Sequence, residues 1–399
     1  MPIEFLGMGG TNDRSETQAR SGPVLDKEYT LRLARAHEEN GWDRVLFGYS
    51  SASPDGDQVA AYVAAHTSTL QLLLAHRPGV TFPTHTARML ATLDQFSDGR
   101  LTVHIITGGN DTEQRREGDY LTHDERYERT GEYIEILKQA WTSREPFGRD
   151  GQHYRFADFV SDVFPLQQPH IPISFGGSSP AAYLVGSAAA DIYCLWGEPL
   201  ADTAEQIESV TTLARAAGRP DRPRIQVAFR PIIAPTEELA WEKAHRILGE
   251  IGARKAASGG QAGPRRTSGP PQNTGSQRLL ALAARGDRFD RALWTATAQA
   301  TGGAGNSNAL VGTPETVAQA LLDYVDIGVD ILSMRGYDIL GDAIDVGRHV
   351  IPLVRDEVAR RDRERTALTA AAGRPAAGRP PASNVTASSA AVAPAARPR

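Results

Sequence analysis

The sequence predicts an α/β fold, a (β/α)8 TIM barrel with insertions and a disordered C-terminal tail. Short apolar runs rich in Val, Ile, Leu and Phe alternate with helix-length amphipathic segments, the pattern of βα units around a parallel sheet. The 399 residues suit one such barrel enlarged by insertions. No Gly-x-Gly-x-x-Gly turn follows the first apolar run, which disfavours an open doubly wound sheet.

The elements follow in order. A strand over 3–8 leads to a helix over 26–39 that begins at Asp26 and stops at Gly41, then a strand over 44–48 and a helix over 55–65 opened by Asp55. The strand at 70–75 precedes a helix over 83–96 started by Pro83, and the strand at 101–106 precedes a helix over 124–142. Strands at 171–175 and 192–196 alternate with helices over 180–189, opened by Pro180, and 200–217, stopped by Gly218. A long strand over 225–233 is followed by helices over 237–250 and 314–327, a strand over 330–334 and a last helix over 343–363. That gives eight strands, enough to close a barrel.

Residues 1–365 are assigned to the barrel and 366–399 to the tail, whose Ala, Pro, Gly, Arg and Ser cannot repay ordering entropy by burial. Two insertions interrupt the barrel. Residues 148–170 carry Tyr154, Phe156, Phe159, Val163 and Phe164 among polar residues and read as a hairpin; residues 256–277, dense in Gly, Pro, Ser and Arg, read as a mobile lid.

Composition limits the partners. With 43 Lys+Arg against 48 Asp+Glu, a net charge of −5 and no basic cluster, neither nucleic acid nor an anionic membrane is expected to bind. The single cysteine, Cys194, excludes an internal disulfide framework and a Cys-rich metal site, so no metal centre is expected. No stretch approaches the ~20 apolar residues of a membrane span. The start Met1-Pro2-Ile3-Glu4-Phe5-Leu6 has no basic segment before an apolar one, so the protein is read as cytoplasmic.

In a barrel the active site lies at the C-terminal strand ends. Those positions hold Gly9, Gly10, Tyr49, Ser53, His76, Arg77, Thr107, Gly108, the run 176–179, Trp196, Arg230, Arg335 and Tyr337. Ser174-Phe175-Gly176-Gly177-Ser178-Ser179-Pro180 ends a strand with two glycines and starts a helix with two hydroxyls. This arrangement aims free N–H groups at an anion, although a capped helix after a tight turn has the same pattern. His-x-x-x-His pairs and Gly-x-Ser-x-Gly elbows are missing from the sequence, so the residues offer no nucleophile of their own and suit an enzyme whose cofactor brings the reactivity.

Arg77-Pro78-Gly79-Val80-Thr81, Ala91-Thr92-Leu93-Asp94, Ser97, Gly99-Arg100, Thr107-Gly108, His123, Glu125-Arg126-Tyr127, the 175–179 run, Trp196-Gly197-Glu198-Pro199, Gly302-Gly303-Ala304-Gly305, Leu310-Val311-Gly312 and Gly336-Tyr337 together resemble the bacterial-luciferase-like flavin monooxygenases, in particular their alkanesulfonate branch. The resemblance implies FMN, bound as FMNH2 and delivered by a separate NAD(P)H:FMN reductase. It also implies O2 as co-substrate and a flavin peroxide that oxygenates a small, alkanesulfonate-like organosulfur compound. Gly176, Gly177, Ser178 and Ser179 would hold the FMN phosphate; His104, Thr107 and Ser53 would lie along the ring system; Trp196, Arg230 and Tyr337 would line the reacting face, with Arg335 as a second cation. A homodimer or homotetramer is expected, with the alanine-rich helix over 55–65 as a candidate interface.

Several positions depart from that pattern. The family's histidine after the first strand is Gly9, its cysteine after the second is Ser53, and the flavin-contacting asparagine of the fourth is His104. The Arg-x-His of the seventh strand is Arg230-Pro231-Ile232, and the arginine before Gly302 is Thr301. A buried sulfonate needs cationic donors, so these losses leave the substrate open. The expected function is a two-component FMNH2-dependent monooxygenase. A coenzyme F420-dependent oxidoreductase and a non-catalytic flavin-binding protein are the alternatives.

Overall fold

In the computed structural model, which describes residues 3–257, 270–305 and 307–372, the chain runs β1 (Glu4–Met8), α1 (Lys27–Glu39), β2 (Arg44–Phe47), α2 (Gly56–Ala64), β3 (Gln71–His76), α3 (Pro83–Phe96) and β4 (Leu101–Ile105). It continues through α4 (Asp111–Arg116), α5 (His123–Thr142), the hairpin β5 (Phe147–Asp150) and β6 (Arg155–Phe159), β7 (Ile173–Gly176), α6 (Pro180–Ala189), β8 (Ile192–Trp196) and α7 (Leu200–Ala216). The last part holds β9 (Arg224–Ile233), α8 (Glu237–Ala257), α9 (Thr274–Arg285), β10 (Arg288–Phe289), β11 (Leu293–Trp294), α10 (Ala296–Thr301), β12 (Ala309–Gly312), α11 (Pro314–Asp326), β13 (Ile331–Met334), α12 (Ile339–His349) and α13 (Ile351–Ala372).

β1, β2, β3, β4, β7, β8, β9 and β13 pair in parallel around a closed ring, which is the expected TIM barrel. All eight occupy segments that the sequence marks as strands. Outward residues such as Val45, Leu72, Val103, Ile173 and Tyr193 pack with the helices into the main core. The insertion expected at 148–170 forms the β5–β6 hairpin, whose Phe147, Phe156 and Phe159 pack edge to face.

Several features differ from expectation. β9 splits its pairing: Gln226 to Phe229 face β13, whereas Arg230 to Ile233 face β12, a strand that the sequence pattern does not reveal. The helix expected over 343–363 is two helices, α12 and α13, meeting at Val350; Pro352 has no N–H to continue α12 and sits well in the first turn of α13. α13 then runs to Ala372, past the expected tail boundary, and 373–399 lie outside the described residues. Residues 258–269 of the expected lid also lie outside them. In α2, Ala60 and Ala64 are buried within the chain itself. The described residues up to Val358 form one compact unit; the described part of the second unit, from Ala359, is helical. Among the described residues no helix is long and apolar enough to cross a membrane.

Candidate active site

Because every barrel strand is parallel, all eight C-terminal ends reach one rim. The opposite end is closed by an ionic ring: Arg44 donates to Thr102 Oγ1 at 2.9 Å and pairs with Glu4 at 3.2 Å, and Arg224 pairs with Glu4 at 2.6 Å. Above it, Leu6, Leu73, Ile192 and Ile331 fill the interior. Towards the rim the strand residues Met8, His104, Gly176, Cys194 and Trp196 keep partial exposure. The barrel is thus plugged below and open above.

His104 and Ser174 are register partners on β4 and β7, and Gly176 pairs with Cys194 on β8. His104 Nδ1 and Ser174 Oγ share a hydrogen bond of 2.9 Å, and Ser174 Oγ lies 3.1 Å from Cys194 Sγ. Burial pushes the His104 pKa down to about 4, so its imidazole is neutral at neutral pH. The same desolvation raises the Cys194 thiol to about 12 and leaves it unreactive as a nucleophile.

The glycines of β7's end form a cradle beside His104. A Cβ on Gly176 would lie 3.5 Å from His104 Cε1 and 3.3 Å from Cys194 Cβ. At Gly177, with φ +149°, a Cβ would lie 2.6 Å from that of Ala182, so no larger residue fits without displacing α6. Tyr193 Oη donates to the Gly177 carbonyl at 2.9 Å and fixes the turn. Ser179 caps α6 by accepting from Ala182 N at 3.2 Å, Pro180 starts the helix, and no acidic residue stands in its first turn. Ser178 stays half-buried at the rim. This is a helix N-terminus with close backbone access and no acidic residue in its first turn, which fits the terminal phosphate of a flavin mononucleotide.

Two expected ring contacts serve their own surroundings. Thr107 is buried, with its hydroxyl 3.3 Å from that of Thr130 on α5. Ser53 donates to the Ser50 carbonyl at 2.8 Å and accepts from Ser50 N at 3.1 Å, closing its own turn.

Across the mouth, Arg230, Arg335 and Tyr337 lie close together, joined by a residue that sequence reasoning missed. Glu16, in the loop after β1, accepts from Arg230 at 2.9 and 3.3 Å and from Arg335 at 3.2 and 3.4 Å. Burial alone would raise the Glu16 pKa; the two guanidinium charges overcome it and hold the carboxyl well below the usual carboxylate range. Burial and the neighbouring Arg230 charge bring Arg335 down to about 10, still cationic at neutral pH. Arg230 also donates to the Gly336 carbonyl at 3.3 Å and lies 5.3 Å from the centre of the Tyr337 ring. Tyr337 itself is buried with Ile232, Ile247 and Trp294, behind Arg230. Nothing marks Glu16 in the sequence, where it sits among Ser, Thr and Gln, and its arginines follow more than 200 residues later.

The loops over the rim are tied together. Buried Arg77 pairs with Glu117 at 2.6 Å and Glu113 at 3.3 Å, pinning α4, and it lies 4.5 Å from the centre of the Tyr49 ring. His76, below it, shares a hydrogen bond of 2.8 Å with Tyr133 and is structural. From the described end of the expected lid, Gln272 Oε1 accepts from Asp111 N at 3.0 Å, and Gly275 lies so close to the Trp196 ring that a Cβ would be 2.6 Å from it. Arg278 on α9 donates to the buried Glu198 at 2.7 Å.

A family model described as luciferase-like monooxygenase matches residues 8–331. Among solved structures, riboflavin lyase in complex with modified FMN and riboflavin is 20% identical, over 90% of this chain and 92% of its own, with a TM-score of 0.71. EDTA monooxygenase from Chelativorans sp. BNC1 is 17% identical over 90% of this chain and 94% of its own, with a TM-score of 0.73. An F420-dependent secondary alcohol dehydrogenase with an F420-acetone adduct is 16% identical over 89% and 99%, with a TM-score of 0.64. At these identities the likeness is one of fold.

Proposed function

The chain belongs to the luciferase-like monooxygenase family, and from that premise we propose that it takes reduced FMN from a separate NAD(P)H-dependent reductase and uses dioxygen to oxygenate a small organic molecule, with organosulfur compounds the first class to test. The observation that carries the reading is the position of the 176–179 cradle, at the open rim and beside the inward imidazole of His104.

When bound, reduced flavin supplies the electrons that activate dioxygen. The chain's own residues do the rest. The backbone of Gly176, Gly177 and Ser178 and the start of α6 hold the phosphate. His104, neutral and fixed in orientation by Ser174, would lie along the ring system. Trp196, covered by Gly275, and the α4 roof held by Arg77 keep water from the reacting face. Arg230 and Arg335 give that face positive charge, with Tyr337 supporting Arg230 from behind.

Oxygen uptake with a reductase, NAD(P)H, FMN and a panel of sulfonates, sulfones, sulfides and sulfur-free compounds tests the reading. Uptake stimulated by one class, with one oxygenated product per dioxygen, is the expected result. No stimulation, together with tight binding of coenzyme F420, replaces the proposal with an F420-dependent oxidoreductase.

A further inference from the structure

On a sulfonate-cleaving reading, the buried Arg230 and the half-buried Arg335 at the mouth would form the anion subsite. Here both are already committed, each through two nitrogens, to the one carboxylate of Glu16. Arg230 is 3% exposed and also donates to the Gly336 carbonyl at 3.3 Å. Arg230 lies on β9, Arg335 directly follows β13 and Glu16 lies in the loop after β1; β9, β13 and β1 are neighbours in the barrel, so the contact is built into the fold.

Glu16 is also held from its own side. The buried Ser15 accepts from Thr17 N at 3.3 Å and Gln18 N at 3.1 Å, and its N–H donates to the Gln18 carbonyl at 3.1 Å. Asp13 accepts from Ser21 N at 3.0 Å and Gln18 Nε2 at 3.0 Å. Thr11 donates to the Val24 carbonyl at 2.9 Å and accepts from Asp26 N at 2.8 Å, closing the loop at its base. An incoming anion would have to break this loop, or else sit beside a carboxylate that stays ionised.

We propose that Glu16 is the specificity-determining residue of this site: as a resident counter-ion it closes the arginine pair to anions, so that the substrate is an uncharged organic molecule and not an alkanesulfonate. The proposal rests on the flavin monooxygenase reading for its reaction, but the anion gate itself is independent of flavin. The single positive charge left on the trio suits a dipolar group that gains negative charge during reaction, and offers little to a fixed anion.

The test is direct binding of 1-hexanesulfonate, without flavin, to the full chain and to Glu16→Gln, Glu16→Ala and Glu16→Gln with Arg230→Ala. We expect no saturable binding to the wild type at millimolar concentration, at least a tenfold gain in Glu16→Gln, and loss of that gain in the double variant. If Glu16→Ala folds poorly, its thermal midpoint should rise with added hexanesulfonate while the wild-type midpoint stays fixed. Wild-type binding as tight as that of Glu16→Gln, no gain in Glu16→Gln, or equal thermal shifts in both proteins overturns the proposal. Anaerobic FMNH2 binding, measured on the same samples, shows separately whether the flavin reading holds.

Discussion

Glu16, Arg230 and Arg335 cannot be exchanged independently, because one carboxylate offsets two guanidinium groups in a poorly hydrated region. Glu16→Ala leaves two cations facing each other and should cost about 3–5 kcal/mol, whereas Arg230→Ala leaves the Glu16–Arg335 pair intact and should cost only about 1–2 kcal/mol. Urea unfolding of the two variants checks that order. The depressed pKa of Glu16 makes its contribution constant at neutral pH and lost only as pH falls below the ordinary carboxylate range. Buried histidines act in a different window. His37 and His76 are lowered from 6.5 to about 4 by burial, so their contribution is complete above 6.5 and is lost as pH falls towards 4, on the order of 3 kcal/mol for each. Stability that stays level between pH 6.5 and 4 would contradict this. In kinetics, Arg230→Ala should cut turnover far more than affinity for reduced flavin; equal losses count against its electrostatic role.

At the scale of elements, the 176–179 turn was legible because its chemistry is local: two glycines, two hydroxyls and a proline in a row specify a strand end and a capped helix start. Gly177→Ala places a methyl against Ala182 and should weaken reduced-FMN binding by at least tenfold, with the barrel still folded by circular dichroism. The roof was less legible. α4 is a six-residue helix whose position depends on Arg77 reaching Glu113 and Glu117 from another strand end, and β12 is a four-residue run whose partner is the outer half of β9. Neither is long enough for periodicity to mark it. Arg77→Ala should release α4, seen as faster amide exchange over 111–116 with little change over β3 and β4. Unchanged exchange there would mean that the Arg77 ion pairs do not hold the roof.

Over the whole molecule, the eight-strand closure follows from a repeated pattern of apolar run and amphipathic helix, each copy of which can be read by itself. Closure is also what the site depends on, since it brings β9, β13 and β1 side by side and so joins Glu16 to arginines more than 200 residues later in the chain. That long-range contact is invisible to any local pattern, which is why the cations were found and their counter-ion was not. We propose that this family member holds reduced FMN in the Gly176–Ser179 cradle, and anaerobic titration of the wild type and Gly177→Ala with FMNH2 is the decisive measurement. Saturable one-to-one binding to the wild type and at least tenfold weaker binding to the variant are the expected results. Equal affinities, or binding of coenzyme F420 with none of FMNH2, would contradict it.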